Sequence, residues 1–124
     1  MTAPKKTPPQ LPKTIKVHGV EFDFITDELE VRRLQAQWED TESLGFFCSR
    51  EHVMVIHPDQ PALSKGDTSV HELLHAIWWQ AGGRTIVDSE LEEKIISLLS
   101  GPLFDVIRRN PEYINYLMSI EGNG

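Results

Sequence analysis

The chain has 124 residues and a formal net charge of −7, with 40% hydrophobic and 25% charged residues. That length fits one domain and is short for two, and the mixture is that of a soluble globular protein with a modest core. The acidic total argues against a nucleic-acid binder, whose affinity rests on phosphate contacts, and against attachment to anionic membranes.

Residues 1–13 hold four prolines and three lysines with almost nothing apolar. They read as a disordered Pro/Lys-rich tail, leaving residues 14–124 as a single domain. Ile15 and Val17, then Val20, Phe22 and Phe24, alternate around His18-Gly19, the pattern of two strands and a turn. From Asp27 to Trp38 the spacing becomes helical, with Val31, Leu34 and Trp38 on one side. The polar stretch Glu39–Ser43 reads as a loop. A second hairpin follows, Phe46 to Cys48 and His52 to Ile56, turning at Ser49-Arg50-Glu51.

Ser64-Lys65-Gly66 reads as a linker into the next helix. That helix carries Val70, Leu73, Leu74, Ile77 and Trp78 as an apolar stripe, and Gly82-Gly83 ends it. A further helix starts at Ser89, with Ser89 as N-cap and Glu92 at the third position of a capping box. Pro102 is expected to kink it, and Arg108-Arg109-Asn110-Pro111 to end it. A last short helix covers Glu112 to Ile120. The fold expected is α+β, a small antiparallel sheet of hairpins packed on a pair of helices.

The chemistry concentrates at His71-Glu72-Leu73-Leu74-His75. Four residues apart on a helix, His71 and His75 share one face and can bind one tetrahedral Zn²⁺. Glu72 stands beside them, where a carboxylate can take a proton from zinc-bound water. A catalytic zinc needs a third protein ligand, and Glu90, Glu92 and Glu93 are the candidates. His75 lies about 10 Å before Gly82 along its helix, and Glu93 about 6 Å beyond Ser89 along the next, at 1.5 Å per residue. An antiparallel helix pair thus brings Glu93 level with the histidines. If Glu92 is engaged in the capping box, Glu93 is the freer carboxylate. Ser97, one turn on, is placed to orient a histidine.

These residues resemble a known pattern. His71-Glu72-Leu73-Leu74-His75-Ala76 resembles the HExxH helix of the zincin metallopeptidases. Glu93-Lys94-Ile95-Ile96-Ser97-Leu98-Leu99-Ser100 is similar to the Glu-x-x-Ala-Asp/Asn-x-Phe-Ala pattern of the gluzincin branch, with Ile96 and Ser97 departing from it. The layout resembles the minigluzincins, the IrrE/ImmA-like intracellular peptidases and small zincin-like proteins of phages and prophages. The resemblance spans about Gly45 to Pro111. It implies a zincin helix pair under the sheet, zinc on His71, His75 and Glu93, Glu72 as general base, and hydrolysis of a protein or peptide substrate. A donor for the oxyanion would come from Tyr113, Tyr116 or Arg84. The competing readings are a non-enzymatic zinc-containing binding protein that keeps the scaffold, and a metal-free structural protein of a phage.

The remaining residues with chemical potential read more plainly. Cys48 is the lone cysteine, so it makes no disulfide within the chain; on its strand it reads as a small buried hydrophobe. A single thiol fits a reducing compartment. No signal-peptide core and no run of 18 apolar residues occurs, and the expectation is a cytoplasmic protein. His18 and His52 read as turn residues, and His57 with Asp59 as a solvated loop. Trp78 reads as core, and Trp79 as packing or as the lining of a substrate groove.

Overall fold

The computed structural model describes residues 9–38 and 43–122. Most of the tail and the loop segment 39–42 therefore lie outside the described residues. The end of the tail is engaged: Leu11 packs against the core, and the Lys13 carbonyl accepts the Phe24 N–H at 2.9 Å.

Strands β1 (Thr14–Val17) and β2 (Val20–Ile25) form the first hairpin. His18 and Gly19 both have positive φ, 49° and 83°, as a two-residue type I′ turn requires. Helix α1 (Glu28–Gln37) follows, capped by Asp27, whose side chain accepts the Glu30 N–H. Strands β3 (Gly45–Cys48) and β4 (Val53–Ile56) form the second hairpin.

The sheet order is β1-β2-β4-β3. The fold is α+β with a mostly antiparallel sheet, as expected: both hairpins are antiparallel, and β2 and β4 meet in parallel at the centre. After α1 the chain runs first along β3 at the far edge, opposite in direction to β2, and the second hairpin then brings it back as β4 beside β2 and parallel to it. Burial shows the consequence. All four residues of β4 are buried, because this central strand is covered on both faces. Met54 and Ile56 join Phe22, Phe24, Val17 and Ala76 in one cluster. Val53 and Val55 join Val31, Leu34 and Cys48 in the other. The sheet is thus sandwiched, with α1 over one face.

Helix α2 (Ala62–Gln80) covers the other face. It begins before the expected linker ends, so Ser64, Lys65 and Gly66 are helical. The side chain of Gln60 explains the early start. Its amide nitrogen donates to the Leu44 and His57 carbonyls, and its oxygen accepts from Ser64 and Thr68. Gly66 is there for close packing: a Cβ would sit 2.7 Å from Phe104 Cζ. The apolar stripe also needs correction. The buried positions of α2 are Glu72 and Ala76, one turn apart, while Ile77 is 43% exposed. Trp79 packs on Phe22, Phe47 and His52. It is a packing residue in the core cluster.

Gly82, at φ 87°, ends α2 in the left-handed conformation and leads into a 3₁₀ turn, Gly83–Thr85. Helix α3 (Ser89–Arg109) then packs against α2. Its N-cap is Asp88, not Ser89; the Asp88 carboxylate accepts the Leu91 N–H at 2.8 Å. Glu92 is therefore not part of a capping box. Helix α3 continues through Pro102 to Arg109, and α4 (Pro111–Ser119) starts with proline at its first position, where a missing N–H costs nothing. Among the described residues no helix is long and apolar enough to cross a membrane.

Candidate metal centre

The tight contact between β3 and α2 depends on Gly45. A Cβ there would meet Thr68 Cγ2 at 2.6 Å, the Val55 carbonyl at 2.8 Å and Glu72 Cγ at 3.4 Å. The start of the edge strand is thereby held against the middle of α2. Next to that contact, α2 turns His71 and His75 toward α3, their rings 5.0 Å apart.

Both Nε2 atoms converge on one carboxylate. His71 Nε2 lies 2.9 Å from Glu93 Oε1, and His75 Nε2 lies 2.7 Å from Glu93 Oε2. The remaining ring nitrogens have partners of their own: His75 Nδ1 is 2.6 Å from Glu92 Oε2, and His71 Nδ1 is 3.3 Å from Ser100 Oγ. Ser97 Oγ donates to Glu93 Oε1 at 3.2 Å. Ser97 therefore orients the carboxylate rather than a histidine, and Glu92 and Ser100 do the orienting of the rings. The sequence pattern does not single out Ser100. Its signal is the seven-residue spacing from Glu93, two turns along the same helix face.

The donor set fits a divalent cation. One ligand atom each from His71, His75 and Glu93 lie within 4.8 Å of one another; ligands about 2.1 Å from one tetrahedral ion stand roughly 3.4 Å apart. Protonation gives a second argument. His75 has a carboxylate at each ring nitrogen, yet a neutral imidazole has a single N–H. One contact is then repulsive unless the ring is charged or a cation stands at Nε2. Burial opposes the charge of Glu93, but the positive charge of His71 and His75, with hydrogen bonds from His75 and Ser97, outweighs it and holds the carboxyl below the usual carboxylate range. An ionised Glu93 with neutral imidazoles is the set that binds a cation, so an ion here would take the place of the protons on the two rings.

Glu72 is 5% exposed and lines the same cavity as the two histidines, Glu92 and Glu93, a space of about 400 Å³ that Phe46, Phe47 and Arg84 help to wall. A larger cavity, about 620 Å³, lies elsewhere, between β1 and α2, and among the described residues has no carboxylate in its lining. Volume alone is a poor guide to chemistry here.

The other candidates separate clearly. Glu90 is exposed and faces Lys94 at 3.4 Å. Tyr113 and Tyr116 stand exposed on α4, outside the lining of the cavity, whereas Arg84 is part of it. His57 Nδ1 accepts the Asp59 N–H, so that pair forms its own turn. His52 has φ 54° and stacks on Phe22 and Trp79. Cys48 is free and buried. No family model, curated protein or solved structure matches the chain.

Proposed function

We propose that the protein is a zinc-dependent peptidase of the zincin type, with the ion held by His71, His75 and Glu93. The observation that carries this reading is the convergence of both Nε2 atoms on the Glu93 carboxylate, with Glu72 in the same cavity. When bound, zinc supplies an acidified water and polarises the scissile carbonyl.

The chain's own residues supply the rest. Glu72 accepts the proton of the attacking water and delivers it to the leaving amine. Glu92 and Ser100 fix the two rings from behind, which preserves ring orientation through the proton transfers. Strand β3 is the sheet edge beside the site, so an extended peptide can pair with its backbone and lie across Glu72. A buried free thiol suits the reducing cytoplasm of a bacterium or of a phage-infected cell.

A second reading, a zinc-containing binding protein without activity, draws on the burial of Glu72 at 5% exposure, which shields the base from solvent. Hydrolysis separates the two. Zinc-loaded protein is incubated with a mixed peptide library and products are read by mass spectrometry. The peptidase reading expects new cleavage sites that vanish with chelator and in Glu72→Gln, while zinc binding persists. Zinc binding with no cleavage in the wild type would leave the scaffold reading standing.

A further inference from the structure

A second cavity, of about 420 Å³, adjoins the candidate metal centre. Phe46, Phe47 and Arg84 line both spaces, and Trp38, Cys48 and Arg50 extend the wall of the second. Its charge runs against that of the chain. The protein carries a net −7, yet among the described residues this lining includes two arginines and no carboxylate.

Arg84 is held in position without being saturated. Its guanidinium carbon lies 5.6 Å over the Phe47 ring. Its Nε faces Glu92 Oε1 at 3.5 Å, and its Nη1 faces Ser49 Oγ at 3.5 Å. Both contacts are long for charged groups, whose hydrogen bonds run at about 2.7–2.9 Å. A guanidinium has five N–H donors in a planar fork, so most of this one remains available. Among the described residues Arg50 has no ion-pair partner. Aromatic walls lower the local dielectric and strengthen whatever the two cations meet.

We propose that this pocket is a specificity site for a carboxylate of the peptide cleaved at the adjoining centre. The proposal rests on the peptidase reading for the bond that is cut, but the pocket itself is defined by Arg50 and Arg84. Two sources present the same group: an Asp or Glu side chain, and the C-terminal carboxylate of the substrate. A bidentate pair with Arg84, partly screened because that side chain is about half exposed, corresponds to a preference of about tenfold.

The test measures binding apart from turnover. Three fluorescent hexapeptide pools are compared by anisotropy: one with a fixed Glu and an amidated end, one with Gln and an amidated end, one with Gln and a free end. The receptor is zinc-loaded Glu72→Gln, with chelator-stripped wild type as a second form in case that substitution disturbs the fold. Tighter binding of the Glu pool assigns the side chain; tighter binding of the free-ended pool assigns the terminus. Either preference should fall about tenfold in Arg84→Gln and in part in Arg50→Gln, persist in part in Arg84→Lys, and shrink as salt is raised. Equal binding of all pools, no binding of any, or a preference untouched by both glutamine variants overturns the proposal. Hydrolysis of the same pools by zinc-loaded wild type is scored separately. Cleavage without acid preference removes the pocket alone; preference without cleavage removes the peptidase reading alone.

Discussion

Glu92→Gln isolates the part of the site that lies behind the metal ligands. Glu92 is 3% exposed, its Oε2 is 2.6 Å from His75 Nδ1, and its Oε1 makes no hydrogen bond while facing Arg84 Nε at 3.5 Å. Glutamine keeps the shape and removes the charge. The amide oxygen still accepts from Nδ1–H, but it no longer raises the basicity of the ring at Nε2. Loss of such an orienting partner costs about 10–100-fold in metal affinity, or about 1.4–2.7 kcal/mol. Folding of the metal-free chain should change less, because loss of the contact with His75 is offset by relief of a buried charge. Competition against a chromophoric zinc chelator at fixed pH measures the affinity, and denaturant unfolding of the metal-free protein measures the fold. The expected order of affinity loss is Glu93→Gln, then Glu92→Gln, then Ser97→Ala, whose hydroxyl is exposed and 3.2 Å from its acceptor. An affinity unchanged in Glu92→Gln would refute the idea that the contact between His75 and Glu92 supports a metal ligand.

Three further outcomes follow from the packing. Asp88→Ala should lower stability by about 1 kcal/mol through loss of the α3 cap, whereas Ser89→Ala should change it by only a few tenths; urea midpoints for the two variants distinguish the caps, and the reverse ranking would contradict the observed cap. Gly45→Ala should destabilise by about 1–3 kcal/mol, since its Cβ meets the Val55 carbonyl at 2.8 Å as well as Thr68; Thr68→Ser in the same chain should restore only part of the loss, and full restoration would show that the backbone contact does not matter. Zinc at 100 times its Kd should stabilise the fold by about 2.7 kcal/mol, or about 10 °C in Tm for a chain of this size. Identical melting curves in zinc and in chelator would contradict binding to the native state.

Local pattern explains which parts of the fold were legible. The alternation from Ile15 to Phe24 and the His18-Gly19 pair specify the first hairpin, because period two and a left-handed turn are properties of neighbours. The spacing of His71 and His75 specifies a shared face in the same way. The parallel pairing of β2 with β4 is a different kind of fact. It depends on where α1 sends the chain, and no short window contains it. Gly66 shows a local rule overridden: glycine commonly ends or links helices, but here it admits the Phe104 ring between α2 and α3. At the start of α3, Asp88 and Ser89 are both good caps, and the three-residue reach from Asp88 to the Leu91 N–H decided between them. That one-residue shift released Glu92 to turn inward against His75, a contact across 17 residues. Helix lengths bring Glu93 level with the histidines but do not separate it from Glu92; the capping box that favoured Glu93 does not form, and Glu92 instead meets His75 Nδ1. The roles of Glu92, Ser97 and Ser100 were not legible, because they follow from the rotation of α3 about its own axis.

Metal content tests the central claim most directly. Protein purified without a metal-affinity tag and supplied with zinc is to be analysed by elemental mass spectrometry, beside His75→Ala and Glu93→Ala. A centre built from His71, His75 and Glu93 predicts about one zinc per chain in the wild type and loss of that zinc in both variants. Wild-type protein that stays metal-free after zinc is supplied, or zinc retained in full by both variants, would contradict it.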